Sequence, residues 1–367
     1  MAKLAAYLGY ARRIARRELD YRLGELKSAS LELTYRCNLK CEICSLWQIP
    51  PGEIKELSVE EWLRVVNELA DAGVRRIGLI GGEPTIVTGF HDIMKRTKER
   101  GIRLDVTTNG TTLARHLEGL CSYADILYIS VDAPNELHDQ IRGIPGLLQR
   151  VLKATRALVE YKREHRLHKP EIHMHYTVTR HNVHLICDMV RLCDDLGVDV
   201  VSFQYVTCSP QSAVDASVMD GKCVASDRYT VNDIGSLLLD EDGVRVFRSQ
   251  FAALPETKNV VAVVNPISNL SDKSLLTGEF PVKRCMPVNY AIVIQPDGEA
   301  TVCSQITGYS LGNVRESSIE QIWRGEARRK LREKLSRRMF PVCRNCCAFS
   351  SSLTMGQMCR IALGRRL

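Results

Sequence analysis

Between residues 30 and 206, short apolar, β-branched runs alternate with longer stretches that have a helical pattern of apolar positions. The predicted strands are Leu31–Tyr35, Arg76–Ile80, Arg103–Thr108, Ile126–Val131, Glu171–Val178 and Val200–Val206, and the predicted helices include Val59–Ala72, Leu147–Tyr161 and Val183–Leu196. Six strand–helix alternations predict an α/β fold with a parallel sheet and right-handed crossovers. In such folds the chemistry gathers where the strands end.

Two segments outside this pattern are basic. Residues 3–27 predict an amphipathic helix, with Arg12, Arg13, Arg16 and Arg17 opposite an apolar arc. This helix, assigned to residues 1–29, is interpreted as packing across the main domain. The alternative is peripheral contact with an anionic membrane surface. Residues 324–338 hold eight Lys/Arg and two acids, in a chain whose net charge is +7.

Composition restricts the class of protein. The 367 residues contain no apolar run long enough for a membrane span and no signal-peptide pattern, so we expect a cytoplasmic protein. Fourteen cysteines in that reducing compartment indicate metal or cluster ligation rather than disulfides. The basic segments lack an aromatic stacking pattern, so no nucleic-acid partner is expected.

Three cysteines follow the first predicted strand closely: Cys37, Cys41 and Cys44. A zinc site or a fully ligated iron–sulfur cluster takes four protein ligands. Three thiolates on one loop therefore suggest a [4Fe–4S] cluster with one iron open for a small molecule. A zinc site completed by a distant residue stays open as an alternative.

Other polar features follow the next strands. The segment Gly81–Pro84, with sequence Gly-Gly-Glu-Pro, follows the second strand, and Asn109 with Gly110 follows the third. Ser130 and Asp132 end the fourth strand. Because parallel strands end on one rim, we expect all of these residues to lie near the cysteine loop.

The cysteine loop followed by Gly81–Pro84 resembles the radical S-adenosylmethionine (SAM) superfamily, over residues 30–206. The resemblance implies a partial (β/α)6 TIM-like barrel in which SAM chelates the open iron. Gly81 and Gly82 would allow close approach of its methionine moiety, and Glu83 would hold its ammonium. The family cleaves SAM reductively to a 5′-deoxyadenosyl radical, which abstracts a hydrogen from the substrate. The electron comes from a donor such as flavodoxin or ferredoxin.

The resemblance also suggests further SAM contacts. Ser130 and Asp132 lie where family members contact the ribose, and Asn109 is a weaker candidate nearby. Arg142 or Arg180 would pair with the methionine carboxylate. The family's usual aromatic residue before the third cysteine is replaced by Ile43, and Trp47 is a candidate to cover the loop instead.

A second cysteine set lies in residues 281–367. Cys285 and Cys303 flank a predicted hairpin with a Pro-Asp-Gly turn, and Cys343 and Cys346 follow. The set resembles the SPASM/twitch extension of radical SAM enzymes, which implies one auxiliary [4Fe–4S] cluster. The full SPASM pattern would need cysteines at Ser352 and Gly356. A zinc ribbon and an exchange of Cys346 for Cys347 stay open, and Cys359 is unassigned.

These features predict a radical SAM oxidoreductase acting on a small molecule, a lipid or a peptide, with an auxiliary cluster for electron transfer. The alternatives are a redox-neutral epimerase, lyase or bond-forming enzyme, in which Cys208 or Cys223 could return a hydrogen atom, and a peptide maturase. Only 36 residues precede Cys37, which disfavours a peptide-recognition domain there. Residues 207–280 are interpreted as a connector that lines the substrate cavity. His173, His175 and Gln204 are candidate substrate contacts if their faces of the fifth and sixth strands line the barrel interior. Core or rim side chains without contact to substrate are the favoured interpretation.

Overall fold

The structure is a computed structural model, and it describes residues 24–50, 52–207, 209–225, 234–264, 266–346, 348–362 and 366–367. Residues 1–23, which hold most of the predicted basic helix, lie outside the described residues. Cys208 and Cys347 lie outside them as well, as does the side chain of Cys359. Among the described residues, no helix is both long enough and apolar enough to cross a bilayer.

Ten strands of the described chain form one sheet, in the order β12-β11-β10-β1-β2-β3-β4-β5-β6-β9. Their bounds are β1 Ser28–Glu32, β2 Arg76–Ile80, β3 Arg103–Thr108, β4 Ile126–Ser130, β5 Glu171–Val178, β6 Val200–Tyr205, β9 Val261–Val264, β10 Ala291–Ile294, β11 Glu299–Thr301 and β12 Gly312–Asn313. A separate hairpin pairs β7 Val218–Met219 with β8 Lys222–Cys223. All neighbours from β10 through β1–β6 to β9 are parallel, whereas β11 and β12 are antiparallel.

The α-helices of the described chain connect these strands. They are α1 Val59–Asp71, α2 Phe90–Glu99, α3 Leu117–Tyr123, α4 Leu137–Arg142, α5 Leu147–Glu164, α6 Ile186–Leu196, α7 Gln211–Asp215, α8 Ile234–Leu237, α9 Glu241–Ala252, α10 Asp272–Thr277, α11 Ile319–Arg324, α12 Glu326–Arg337 and α13 Met355–Ala362. α1 begins at a capping box in which the Ser58 and Glu61 side chains each accept from the other residue's backbone N–H. The helix, one of the three predicted, thus has a defined start.

The inner face of the sheet differs from the outer face. Ile77 and Leu79 of β2 are fully buried in the core that also contains Trp62 of α1. Their neighbours Arg76, Gly78 and Ile80 point to the opposite face, because successive side chains of a strand alternate, and they line a cavity. The predicted parallel α/β barrel architecture is confirmed.

Three predicted elements differ from the structure. The first strand begins and ends three residues earlier than predicted, because beyond Glu32 the chain turns to receive the loop that follows β2. The segment 207–280, expected to be a connector, contributes β9 to the sheet through backbone pairing with β6. The C-terminal hairpin β10–β11 does not form a separate small sheet, since β10 pairs in parallel with β1.

Candidate active site

The loop after β1 carries Cys37, Cys41 and Cys44. Cys41 is buried and the other two are half-buried. The loop is fixed from two sides, because the Glu42 N–H donates to Ile141 O of α4 and the Trp47 indole N–H donates to Cys41 O at 3.3 Å. Trp47 therefore contacts the loop directly.

Two polar side chains reach the cysteine sulfurs. Asn109 Nδ2 lies 3.8 Å from Cys37 Sγ, and Arg142 Nη1 lies 3.8 Å from Cys41 Sγ. Burial raises the pKa of all three thiols, whereas Asn109 opposes this rise at Cys37 and the Arg142 guanidinium opposes it at Cys41 and Cys44. N–H donors and a positive charge at these positions favour thiolates, which are the form that binds iron.

Arg142 is held by a buried carboxylate. Its Nε and Nη2 atoms both lie 2.6 Å from Asp132 Oδ2, and Asp132 is fully buried. The other oxygen, Oδ1, accepts from the Thr177 N–H at 2.9 Å. Both carboxylate oxygens of Asp132 thus have donors within the protein, and Arg142 faces Asp132 and Cys41. The ribose contact of Asp132 and the methionine carboxylate contact of Arg142 stay predictions.

Gly81 and Gly82 pack against the start of the cysteine loop. The Gly82 N–H donates to Thr34 O at 2.7 Å, and the Glu83 N–H donates to Arg36 O at 3.0 Å. A Cβ on Gly81 would lie 2.3 Å from Thr34 O, and one on Gly82 would lie 2.2 Å from Arg36 O. Gly81 also has a φ of 137°. The structure therefore requires glycine at these two positions because they contact the cysteine loop. The predicted close approach of SAM is a separate reason for glycine there.

Glu83 is fully buried beneath this contact. Its Oε1 accepts from the Thr85 hydroxyl at 2.6 Å, from the Thr85 N–H at 3.2 Å and from the Thr108 hydroxyl at 2.8 Å. Its Oε2 accepts from the Asn109 N–H at 2.7 Å. Burial raises the pKa of Glu83, and these four donors act in the opposite direction. The carboxylate thus joins the Gly81–Pro84 loop to the end of β3.

The other predicted SAM contacts are placed as follows. Asn109 Nδ2 donates to Asn38 Oδ1 at 2.9 Å as well as reaching Cys37, so it braces the cysteine loop. Ser130 is half-buried at the end of β4. Arg180 donates from Nε to Leu238 O at 2.9 Å and lies 3.7 Å from Asp240.

The donor set fits an open cluster with SAM. Three thiols share one loop, two N–H donors address their sulfurs, and the glycine loop docks beside them. Cys37, Cys41 and Cys44 would hold three irons, and SAM bound at the fourth would supply reductive cleavage chemistry.

The second cysteine set lies at the opposite end of the parallel strands from the first set. Cys285 precedes β10, and Cys303 follows β11, which runs antiparallel to it. Since β10 is parallel to β1, both cysteines lie on the side where β1 begins, whereas the first loop follows its end. Cys285 and Cys303 contribute to the raised pKa of Cys343 and Cys346, so the four cysteines lie near one another. Burial raises the pKa of Cys285, Cys343 and Cys346, that of Cys285 to about 12.

A cavity of about 560 Å³ runs along the inner face of the sheet. It extends from Arg76, the first residue of β2, to Ile80, which directly precedes Gly81. The four cysteines of the second set line it: Cys285, Cys303, Cys343 and Cys346. A substrate in this cavity would contact the second cysteine set and could extend to the end of β2, next to the glycine loop.

His175 projects into this cavity together with Gln204. Its Nδ1 lies 2.9 Å from Ser202 Oγ, and its Nε2 lies 3.2 Å from Gln204 Oε1. Burial lowers the pKa of His175, which favours the neutral imidazole. His173, two residues earlier, packs edge-on against the Tyr128 ring. One face of β5 is therefore turned towards the cavity, and His175 is the polar residue of β5 that lines it.

Comparison with protein families agrees with this geometry. The model of the radical SAM superfamily matches residues 31–206, and the model of the SPASM iron–sulfur cluster-binding domain matches residues 285–347. The fold and site are those of a radical SAM enzyme, and the chain belongs to the radical SAM superfamily. The chain also carries a C-terminal SPASM domain. Its cofactors are therefore SAM, the SAM-binding [4Fe–4S] cluster and auxiliary iron–sulfur clusters.

Several characterised proteins are similar over most of the chain. The tungsten-containing aldehyde ferredoxin oxidoreductase cofactor-modifying protein of Pyrococcus furiosus is 25% identical over 88% of this chain and 87% of its own length. The antilisterial bacteriocin subtilosin biosynthesis protein AlbA of Bacillus subtilis is 26% identical over 88% of this chain and 65% of its own. The PqqA peptide cyclase of Granulibacter bethesdensis is 26% identical over 80% and 72%.

Solved structures show the same fold. SuiB of Streptococcus suis, crystallised with SAM, has a TM-score of 0.61 at 16% identity, covering 89% of this chain and 72% of that one. Native anSMEcpe with bound SAM and a peptide has a TM-score of 0.58 at 17% identity, covering 89% and 88%.

The sequence did not identify the residues that support the site. Thr85 and Thr108 bind the Glu83 carboxylate, and Asn38 binds Asn109. Each lies within one or two residues of a predicted motif, and short polar residues at strand ends were the available signal. Their partners are 25 or more residues away in sequence in two of the three cases, so spacing alone did not pair them.

Proposed function

We propose that this radical SAM enzyme modifies a peptide, and that the net reaction is an oxidation. The observation that carries the proposal is the cavity lined by the second cysteine set, which would hold one segment of a substrate. The cavity extends to Ile80, next to the glycine loop that packs on the start of the first cysteine loop. Support for a peptide comes from relatives named for subtilosin biosynthesis, PqqA peptide cyclisation and sporulation killing factor maturation.

In this oxidation the substrate loses one hydrogen atom and then one further electron. Hydrogen abstraction converts SAM and one donated electron to methionine and 5′-deoxyadenosine. Loss of a second electron and a proton from the substrate completes a two-electron oxidation. His175 in the cavity, neutral because burial lowers its pKa, is placed to accept that proton. The four cysteines that line the cavity would bind an auxiliary cluster, which would accept the electron.

A second candidate is modification of a small cofactor. It is favoured by the relative from Pyrococcus furiosus, a cofactor-modifying protein of which this chain spans 87%. The two candidates require the same site and differ in the substrate. They are therefore separated by the source of the abstracted hydrogen.

Deuterium transfer tests the choice. The reconstituted enzyme is incubated anaerobically with SAM, a reductant and either the peptide fraction or the metabolite fraction of deuterium-grown host cells. We expect deuterium in 5′-deoxyadenosine with the peptide fraction, and loss of that label after the fraction is digested with a peptidase. Label from the metabolite fraction, undiminished by peptidase, would favour the cofactor candidate instead.

A further inference from the structure

Helix α12 and its flanks carry a basic surface that the proposed chemistry does not use. Its exposed and half-exposed cations are Arg324, Arg329, Lys330, Arg332, Lys334, Arg337 and Arg338, and we call them the basic α12 surface. The eighth cation of the segment, Arg328, is instead buried, with its guanidinium carbon 3.4 Å from the centroid of the Trp323 ring.

Most of this positive charge is not neutralised. Lys330 and Arg337 form exposed ion pairs with glutamates of α12, and Arg324 forms one with Glu320 of α11. No ion pair joins the other four cations to an acidic side chain within the described part of the chain. These four cations give the surface a net positive potential that attracts acidic macromolecules.

The basic α12 surface is connected to the second cysteine set. A cleft of about 330 Å³ is lined by Arg329 and Arg332 on one side and by Cys285 on the other. Arg332 Nε donates to Asn289 Oδ1 at 2.6 Å, and Asn289 Nδ2 donates to Cys285 O at 3.3 Å. Two hydrogen bonds thus link a surface cation to the backbone of a cluster-site cysteine. Cys285 also lines the substrate cavity, so it separates that cavity from the basic surface.

We propose that the basic α12 surface docks an acidic one-electron carrier protein of the flavodoxin or ferredoxin class. The carrier in its oxidised form gains the electron that the substrate loses, and the substrate loses a proton with it. A second, reduced carrier supplies the electron for SAM cleavage, so the carrier pool is unchanged over one turnover. The direction of electron flow rests on the proposed oxidation, whereas the docking rests on charge and on the cleft to Cys285.

The test measures binding of an acidic flavodoxin to the anaerobically reconstituted full-length enzyme by calorimetry, at low and at high salt. The variant Arg329→Glu/Lys330→Glu reverses two exposed charges of the surface. The matched control Lys153→Glu/Arg156→Glu makes the same charge change on the exposed side of α5. Iron content and circular dichroism check that both variants fold. Binding to anionic vesicles and to a DNA duplex is measured in parallel.

We expect the α12 variant to bind flavodoxin at least about tenfold more weakly at low salt, with the control within about twofold of the wild type. Salt should weaken wild-type binding and reduce the difference. Equal binding by all three proteins, or no binding by the wild type, would overturn the proposal. Loss confined to vesicles or DNA would also overturn it, by assigning the surface to another polyanion. No peptide is present, so an error in the substrate leaves this result unchanged.

Discussion

Arg142 Nη1 lies 3.8 Å from Cys41 Sγ while the same guanidinium pairs with the buried carboxylate of Asp132. Asp132 lies two residues after β4 and Arg142 ends α4, so one ion pair joins two parts of the barrel to the cysteine loop. Through this ion pair the two residues hold Cys41, one of the predicted cluster ligands, in position.

Replacing Arg142 should be costly. Arg142→Ala leaves the fully buried Asp132 without its cation, and we expect the free energy of unfolding to fall by about 3–5 kcal/mol in urea titrations. The exposed Arg156→Ala is the control, with an expected change within about 0.5 kcal/mol. Asp132→Asn/Arg142→Gln should lose less than the sum of its single changes. Equal stability of Arg142→Ala and Arg156→Ala would contradict the assignment.

The glycine loop should be intolerant of a side chain. Gly82→Ala places a Cβ 2.2 Å from the backbone oxygen of Arg36, so the cysteine loop must move. We expect a loss of roughly 1–3 kcal/mol in unfolding free energy and reduced iron retention after reconstitution. Gly356→Ala in α13 is the matched control, because no atom lies within 4 Å of the added carbon. Iron retention by Gly82→Ala that equals the control's would show that the close contact is not needed.

Glu83 should act as a buried acceptor. Glu83→Gln turns one acceptor into an amide that faces N–H and O–H donors, and we expect about 1–3 kcal/mol of lost stability. The exposed Glu160→Gln on α5 should change stability little. Chemical denaturation measures both variants. Unchanged stability in Glu83→Gln would argue against the four hydrogen bonds described above.

Stability should depend on pH through His138. This fully buried side chain accepts from the Asp132 N–H at 3.1 Å, and burial lowers its pKa to about 4. The folded protein therefore binds this proton less readily than the unfolded chain, whose histidine has a pKa near 6.5. Stability from the neutral imidazole is present above about pH 6.5 and is lost as the pH falls towards 4.

Unfolding free energies measured between pH 7.5 and 5.5 check this dependence. We expect the wild type to lose about 1 kcal/mol more than His138→Gln over that range. The exposed His184→Gln serves as the control and should follow the wild type. Parallel pH profiles for the wild type and His138→Gln would rule out this histidine as the cause.

Sequence patterns predicted the barrel well because its strands alternate strongly. The bounds of β2, β3 and β5 agree with the structure, and those of β4 and β6 agree within one residue. β9 was not predicted, and β10 was predicted only as part of a hairpin, without its pairing to β1. A four-residue strand at the sheet edge or in a hairpin has no periodicity that reveals its parallel partner. The cysteine and glycine motifs located the site. The pairing of Asp132 with Arg142 was not predictable, because burial decides whether an arginine meets a ligand or a carboxylate.

The central claim is that one cysteine set binds an open cluster for SAM and the other a closed auxiliary cluster. Electron paramagnetic resonance of reduced, reconstituted variants tests it most directly, with iron counted in each. The wild type should hold about eight irons per chain, and Cys37→Ala/Cys41→Ala/Cys44→Ala and Cys285→Ala/Cys303→Ala about four each. Adding SAM should change the spectrum of the variant that keeps Cys37, Cys41 and Cys44 and leave the other unchanged. A SAM response only in the variant lacking those three cysteines, or zinc in place of iron at the second set, would contradict the account.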